Sequence, residues 1–540
     1  MKRVLVVDAL QAVGVDALRK HGLEVEVAGT LDERALSARI ADVEGLIVRS
    51  ATRVTRAAIA AGARLEVIGR AGAGVDTIDV DAATERGIVV MNTPGGNTTA
   101  VAEHTLALLL ALARRIPLAD ATLKAGRWEK NRLQGVELFG KALGILGLGR
   151  IGGEVARRAL GFRMQVLAYD PYLTREAAER LGVESVELDE LLARSDFITI
   201  HTPLTGDTRH LIGAAELGRM KPGVRLINCA RGGIIDETAL AQALTSGHVG
   251  GAAIDVFEQE PPPADHPLLH FEQVVVTPHL GAATDEAQAA VALAIADQVA
   301  DALVRGVVAN AVNLPAVDAE TLREQAPYAG LAAAMGRFLA QMAEGRMAEA
   351  RLTYAGDVAA RPTAPLTLAF LRGLLGTILA EHVTDVNAML VARSRGLRVT
   401  ETSTSESAGY ASLLTAELRT DRGVCSVAGS LFHRREPRFV AIDGFSLEAV
   451  PQGYMLVFAN QDVPGVVGRI GTLCGRHGIN IAGMQLGRER RGGRAVSILN
   501  LDDPMPAAAL DEIRAMPDIV SARLIHLGGG LRHPSDAPRA

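Results

Sequence analysis

A glycine pattern and three ionisable residues carry the chemistry that this sequence makes legible. Lys141–Gly152 reads KALGILGLGRIG, with glycines at 147, 149 and 152 directly after an apolar run. In a strand–turn–helix, Gly147 permits the tight turn, Gly149 lets backbone approach a pyrophosphate and Gly152 allows close helix–strand packing. The helix N-terminus that follows attracts phosphates. The pattern alone is weak, because the chain holds 56 glycines. Its context strengthens it: the next apolar run ends at Asp170, 21 residues after Gly149. An acid there can accept from adenosine ribose hydroxyls and repel a 2′-phosphate, which favours NAD over NADP. The plainer reading is a bare turn that Asp170 merely closes.

Open α/β sheets bind ligands beyond the carboxyl ends of their parallel strands. In this sequence Thr202-Pro203 follows Phe197–His201, and Ala230-Arg231 follows Arg225–Cys229. Ala252–Val256 carries Asp255 and is followed by Glu260, while His279 follows Val274–Thr277. An Arg can hold a carboxylate through two parallel hydrogen bonds. A His beside a Glu is an oriented acid–base pair whose protonated form the carboxylate stabilises. Each residue alone has a blander reading. His279 would be a local hydrogen-bonding group, Glu260 a solvated acid before three prolines, and Arg231 a surface cation. All three on one edge beside a dinucleotide pattern predict a carboxylate-binding, acid–base site.

The elements that must position these residues are those of an α/β protein. Short β-branched runs alternate with Ala/Leu-rich helical stretches. The first series of expected strands is Arg3–Asp8, Val25–Ala28, Gly45–Arg49, Leu65–Arg70 and Val89–Asn92. A helix is expected over Thr98–Arg115, then strands Ala142–Gly147, Gln165–Asp170, Phe197–His201, Arg225–Cys229, Ala252–Val256 and Val274–Thr277. This predicts two doubly wound parallel-sheet, Rossmann-like units in tandem. A long Ala-rich helix, Ala282–Gly306, is placed to return to the first unit and make that domain discontinuous. Residues 316–450 mix expected helices (Ala364–Glu381, Thr384–Ser394) with expected strands (Arg351–Ala355, Leu413–Leu418, Phe439–Ile442), an α+β unit. From Tyr454 to His526 the order is βαββαβ, the ferredoxin-like signature. The Gly- and Pro-rich tail 528–540 is expected to be disordered.

Composition limits the alternatives. The chain has 540 residues, enough for three to five domains at roughly 100–200 residues each. Its net charge of −6 and its 3% aromatics argue against nucleic acid as a partner. Three cysteines, 229, 425 and 474, show no metal-ligand spacing, so no metal is expected and a reducing cytoplasm fits. Neither the four-residue apolar run before Asp8 nor the apolar stretch Thr105–Ala113 suits a signal or membrane segment, so no membrane association is expected.

The motifs GILGLGRIG, NCARGG, DVFEQEP and TPHLGAAT, in this order, resemble the D-isomer-specific 2-hydroxyacid dehydrogenases. VRSATRVT at 48–55, GRAGAGVDTIDVDAAT at 69–84 and NTPGGNTTAVAEHT at 92–105 narrow the resemblance to their D-3-phosphoglycerate dehydrogenase branch. The resemblance implies NAD-dependent oxidation of 3-phosphoglycerate, feeding L-serine synthesis. It implies that His279 is the general acid/base, that Glu260 orients it, and that Arg231 binds the substrate carboxylate and C2 oxygen. The NAD contacts so implied are Gly147, Gly149, Arg150, Ile151, Gly152, Asp170, Thr202, Pro203, Cys229, Ala230, Arg231, Asp255, His279 and Gly281. Ala73 stands where some relatives carry a hydroxyl residue near the cofactor.

The first unit should supply the other wall. Arg49 is a phosphate-binding candidate or a solvated strand-end cation. Gly72 and Gly74 offer backbone N–H groups or make only a turn. Asn97 contacts substrate or caps the helix at Thr98. The expected domains are 1–96 with 283–314 for substrate, 97–282 for NAD, 315–450 as an intervening allosteric domain, and 452–527. The last resembles an ACT domain, an amino-acid-sensing module, through ANQDVPG at 459–465 and GINIA at 478–482. L-serine is the expected effector, at Asn460, Asp462 and Asn480, with Pro464 at a helix start; Asp462 as an N-cap and Asn480 as a turn residue are the alternatives. Arg393, Arg395, His433, Arg434 and Arg435 read as an anion site or a solvated basic face. A homotetramer is expected, with the lone Trp128 as a subunit contact or packed on its own domain. Competing readings are a dehydrogenase of glycerate or 2-hydroxyglutarate, and a non-catalytic NAD-sensing scaffold.

Overall fold

A computed structural model describes residues 1–528, so the expectation for the tail at 529–540 falls outside the described residues. The first sheet has five parallel strands in the order Glu24–Val27, Arg3–Val6, Gly45–Val48, Val67–Arg70, Val89–Met91. Its central strand GLIV is buried on both faces, as a parallel strand covered by helices must be. The two-residue side-chain period sorts the core. Val4, Val6 and Ile47 pack under the helices Ala12–Lys20 and Asp285–Ala300, whereas Leu5, Leu46 and Val48 face Leu36, Ile59 and Ala82 on the other side.

Helix Asp285–Ala300 therefore returns from the far end of the second unit to complete the first. The approach is close: a Cβ on Gly14 would lie 2.7 Å from the Ala292 carbonyl oxygen. A π-helical turn, Asp301–Arg305, ends it at Gly306 with φ 68°. By length and composition the span Asp285–Arg305 could cross a membrane, which the sequence reading did not anticipate. Here Val291, Ile295 and Val299 are buried in the core of the first unit.

The second sheet has seven parallel strands, in the order Val274–Val276, Val249–Ile254, Val224–Asn228, Phe197–Ile200, Ala142–Leu146, Gln165–Tyr169, Glu184–Ser185. Strand order reverses between Ala142–Leu146 and Phe197–Ile200, and their carboxyl ends open a crevice there. The helix Thr98–Ala113 links the two units and packs on the second through Val101, Leu108, Leu109 and Leu112.

The third sheet is mixed: Arg398–Thr404 pairs parallel with Met347–Gly356, and Ser412–Thr420, Gly423–Phe432, Glu436–Ile442 and Phe445–Ala449 continue antiparallel. Helices Ala319–Met342 and Ala364–Ile378 cross at two glycines, Gly336 and Gly373, whose hydrogens sit against the facing backbone. The long first helix was not legible in the sequence because Pro327 lies inside it, where proline lacks the N–H for the bond to the carbonyl four residues earlier and reads as a helix breaker. Three strands of this sheet, Arg398–Thr404, Gly423–Phe432 and Phe445–Ala449, also went unread, the middle one because glycines and a cysteine dilute its β pattern.

The last sheet is antiparallel, in the order Ile481–Arg488, Arg494–Leu501, Tyr454–Gln461, Ile519–His526. One face carries the helices Val466–Arg476 and Ala507–Arg514. The other packs Met455, Val457, Ile498 and Ile525 into the core of the third unit. The edge strand is not wholly free, since a Cβ on Gly487 would meet the Ser446 carbonyl at 2.5 Å. Pro464 precedes the helix rather than starting it; the N-cap is Gly465, in left-handed conformation.

The Gly14 contact gives a stability test. Gly14→Val should cost about 1–3 kcal/mol by overpacking the Ala292 backbone, seen as a lower urea midpoint. An unchanged midpoint would mean that the two helices are not in close contact at Gly14.

Candidate active site

The dinucleotide loop is built on three close approaches. Gly147 has φ 90°, and a Cβ there would lie 2.9 Å from the His201 carbonyl oxygen. A Cβ on Gly152 would sit 2.1 Å from the Gly147 carbonyl oxygen, so helix Arg150–Gly161 can begin against the strand only with glycine there. A Cβ on Gly149, the N-cap, would meet open space. That is the geometry a pyrophosphate requires: backbone on one side, room on the other, and free helix N–H groups at the floor. Arg150 and Ile151 open the helix, and Arg150 extends toward Gly95 of the loop after the first sheet.

Asp170 ends the next strand and holds this loop. Its Oδ2 accepts from Leu148 N at 2.9 Å and its Oδ1 from Tyr172 N at 2.9 Å. It is thus a turn residue, and each oxygen keeps a lone pair for a ribose hydroxyl. Across the crevice stand His201, Thr202 and Pro203. Burial pushes the His201 imidazole down to about 3, so this ring stays neutral. Its Nδ1 and the Thr202 Oγ1 are buried without a hydrogen-bond partner among the described residues. Nothing in the sequence separated His201 from an ordinary strand residue.

Asn228 knits the next strand end. Its Nδ2 donates to the Arg231 carbonyl at 2.9 Å, and its Oδ1 accepts from Ala230 N at 3.0 Å. Cys229 points into the core, where burial pushes its thiol up to about 12. The Arg231 side chain leaves toward the first unit, and its Nε donates to Asp76 Oδ2 at 2.8 Å. Gly74 lies directly against the Arg231 guanidinium and leaves no room there for a side chain.

His279 and Glu260 meet as the sequence suggested: Nδ1 lies 2.8 Å from Oε2. Glu260 Oε1 accepts from Phe257 N at 3.2 Å, which fixes the carboxylate. Burial would raise the Glu260 carboxyl, but the hydrogen bond and charge of His279 and the Phe257 amide outweigh it, and the net shift is downward. His279 itself has φ 54°, left-handed for a non-glycine residue and strained by about 1–3 kcal/mol. An apolar cavity of about 380 Å³ runs beside the pair, along Pro261, Pro262, Leu269 and Val276. With Nδ1 held, the imidazole can exchange a proton only through Nε2.

Asp255 is fully buried and faces the loop from below. Its carboxylate accepts from Thr277 Oγ1, Leu280 N and Gly281 N at 2.6, 2.7 and 3.0 Å. Burial would raise its carboxyl, but His104, Thr277 and the Leu280 amide hold it below its ordinary value.

The first unit contributes cations. Arg49, Gly72 and Asn97 line one small cavity together. Arg49 is not free: its N–H donates to Asp8 Oδ2 at 3.0 Å and its Nη1 to the Asp8 and Ala9 carbonyls. Asn97 occupies the N-cap position of helix Thr98–Ala113, yet its side chain makes no capping bond. A third arginine escaped the sequence reading. Arg70 ends its strand behind Gly72, and burial together with the charges of Arg231 and Arg49 pushes its guanidinium down to about 10. Asp76, also unread, sits between them on Arg231. Only the strand-end position of Arg70, parallel to that of Arg49, could have flagged it; the loop residue Asp76 carried no such signal.

The residues singled out near the C-terminus are not joined to one another by hydrogen bonds among the described residues. Asp462 accepts from Arg488 at 3.1 Å and Gly492 N at 3.2 Å, and does not cap the helix. Asn480 donates to Asp502 at 2.6 Å, and buried Asn460 to the Gln461 carbonyl at 2.8 Å. His433 and Arg434 lie in a turn with left-handed φ. Arg395 pairs with Glu381 at 2.8 Å.

Comparison with known proteins decides the family. Residues 106–281 match the D-isomer specific 2-hydroxyacid dehydrogenase NAD binding domain, 324–443 the D-3-phosphoglycerate dehydrogenase intervening domain, and 454–518 the ACT domain. A D-3-phosphoglycerate dehydrogenase of Methanocaldococcus jannaschii is 44% identical over 98% of this chain and 100% of its own. One of Bacillus subtilis is 40% identical over 98% of this chain and 100% of its own. The chain belongs to the D-3-phosphoglycerate dehydrogenase family. It is an NAD-dependent oxidoreductase. Among solved structures, D-lactate dehydrogenase from Aquifex aeolicus, complexed with NAD and lactic acid, aligns with a TM-score of 0.51 at 32% identity. It covers 56% of this chain and 96% of that one. TT0316 protein from Thermus thermophilus aligns at 0.54 and 39% identity, over 57% of this chain and 99% of its own.

Asp170 tests the cofactor side. Asp170→Ala should lower the preference for NAD over NADP at least about tenfold in kcat/KM, since it removes an acceptor and a repulsive charge. Kinetics with both cofactors decide it. An unchanged ratio would leave Asp170 as a turn residue only.

Proposed function

We propose that this enzyme oxidises 3-phospho-D-glycerate to 3-phosphohydroxypyruvate, the step that feeds L-serine synthesis. The observation that carries the reading is the convergence of three guanidiniums on one loop: Arg70 lies against Gly72, Arg231 against Gly74, and Arg49 shares a cavity with Gly72. Three cations answer a substrate with a carboxylate and a phosphate better than one with a carboxylate alone. In this assignment Arg231 holds the carboxylate and the C2 oxygen. Arg49, the backbone of Gly72 and Gly74, and Asn97 receive the phosphate end. NAD, when bound along Gly147, Gly149, Gly152 and Asp170, supplies a hydride acceptor for C2. His279 takes the C2 hydroxyl proton at Nε2, and Glu260 stabilises the imidazolium that results. Arg231 stabilises negative charge on the C2 oxygen, most strongly once the cleft excludes water.

In the same reading, residues 1–96 with 283–314 form the substrate domain, 97–282 the NAD domain, and 315–450 and 452–527 the regulatory domains. Free thiols at Cys229, Cys425 and Cys474 suit a reducing cytoplasm. A homotetramer accounts for Trp128, whose ring is 80% exposed in the single chain. L-serine is the proposed effector, at Asp462 and Asn480 with Asn460 nearby, between paired ACT domains. It would shift the population by binding one arrangement better.

Two experiments test this reading. With NADH and 3-phosphohydroxypyruvate the parent protein should turn over, and His279→Ala should lower kcat by roughly 10²–10⁴ with NADH affinity little changed. Near-parent turnover in the variant removes His279 from its role. Calorimetry should detect L-serine binding in the parent but not in Asp462→Ala, with uninhibited turnover alike in both. No heat and no inhibition at millimolar serine would sink the effector proposal and leave the dehydrogenase reading standing.

A further inference from the structure

The catalytic loop is held by more than Glu260. His279 lies in a left-handed conformation, so the surrounding structure must over-determine it. Its own N–H donates to the Asp255 and Thr277 carbonyls at 2.9 and 3.0 Å. The Asp255 carboxylate below accepts from Thr277, Leu280 and Gly281, so this one buried acid holds the chain on both sides of His279. A carboxylate without solvent contact needs a compensating partner. Among the described residues one ionisable group pairs with it: His104 Nε2 lies 3.2 Å from Asp255 Oδ1 and 3.3 Å from Thr277 Oγ1.

Proton counting fixes the direction of these bonds. Thr277 has one hydroxyl proton, and at 2.6 Å it goes to Asp255. The hydroxyl oxygen is then only an acceptor toward His104, and the Asp255 carboxylate can only accept as well. His104 Nε2 must therefore carry a hydrogen, shared between the two oxygens. His104 belongs to helix Thr98–Ala113, two turns on from Asn97, which lines the cavity with Arg49 and Gly72. That helix links the two sheets. Its His104 thus ties the interdomain connection to the floor of the acid–base loop.

We propose that His104 is a positioning residue for His279, acting through Thr277 and Asp255. The other group in contact, the Cys229 sulfur, lies with His104 and Asp255 within a 4.8 Å cluster that has ligand atoms for a metal. Cys229 is buried, and its burial favours the protonated thiol, which is a poor ligand. The hydrogen-bond relay therefore accounts for the cluster without an ion. The inference deepens the assignment of His279 as acid/base and rests on it.

The test uses the full-length enzyme. His104→Leu should lower kcat on the order of ten- to a hundred-fold, the scale of a misplaced catalytic group, with NADH affinity little changed. His104→Gln keeps a donor at the same reach and should recover most of the loss. Thr277→Val should reproduce the defect and Thr277→Ser should relieve it, which covers the case of a His104→Leu protein that does not fold. Parent-like turnover in His104→Leu, or an equal loss in His104→Gln and His104→Leu, would overturn the proposal. So would equivalent activity in Thr277→Val and Thr277→Ser. Failure of the underlying assignment looks different: there His279→Ala itself would keep near-parent turnover.

Discussion

Three guanidiniums crowding one cleft are the constraint on which the site depends. Burial, with Arg231 and Arg49 nearby, pushes the Arg70 guanidinium down to about 10, so it is still charged at neutral pH, and gathering like charges is costly unless anions lie among them. Asp76 answers on Arg231, whereas the buried Asp8 carboxylate accepts from the Arg49 amide and from Thr52, and the Arg49 guanidinium donates only to the Asp8 and Ala9 carbonyls. One half-exposed carboxylate, Asp76, is a partial answer. In the proposed function, the remainder attracts an anionic substrate that reaches residues of both sheets at once.

The fold supplies that geometry through two parallel sheets whose strands end toward a common cleft. The first gives Arg49 and Arg70 at successive strand ends, with Gly72 and Gly74 in the loop that follows Arg70. The second gives Arg231, Asp255 and His279 in the same way. The linking helix Thr98–Ala113 and the returning helix Asp285–Ala300 leave the two units adjacent without merging their cores, since the clusters around each sheet share no buried residue. The dinucleotide loop sits where strand order reverses, so the proposed assignment places hydride transfer and proton transfer at one edge.

Much of this was legible in the sequence because the informative residues are those that lack alternatives. Gly147 and Gly152 stand where no Cβ fits, and a strand followed by glycines at that spacing announces itself. His279 and Glu260 were marked by their position after apolar runs. Arg70 and Asp76 were not, because a strand-end arginine and a loop aspartate look like surface charge until the neighbouring unit is placed over them. His104 was invisible for a related reason: one polar residue in TTAVAEHTLALLLALA is an ordinary helix residue until Asp255 arrives from 151 positions away. The α+β unit was least readable. Pro327 masks its longest helix, and its sheet draws strands from non-sequential segments, so local pattern carries little of its topology.

The central claim is that the cation cluster reads a second anionic group on the substrate. The most direct measurement is kcat/KM for 3-phosphohydroxypyruvate against unphosphorylated hydroxypyruvate, with NADH at saturation. The account predicts a preference for the phosphorylated acid of at least about a hundredfold, the worth of two charge-assisted hydrogen bonds at roughly 1.5 kcal/mol each. Equal values, or a preference for hydroxypyruvate, would contradict it.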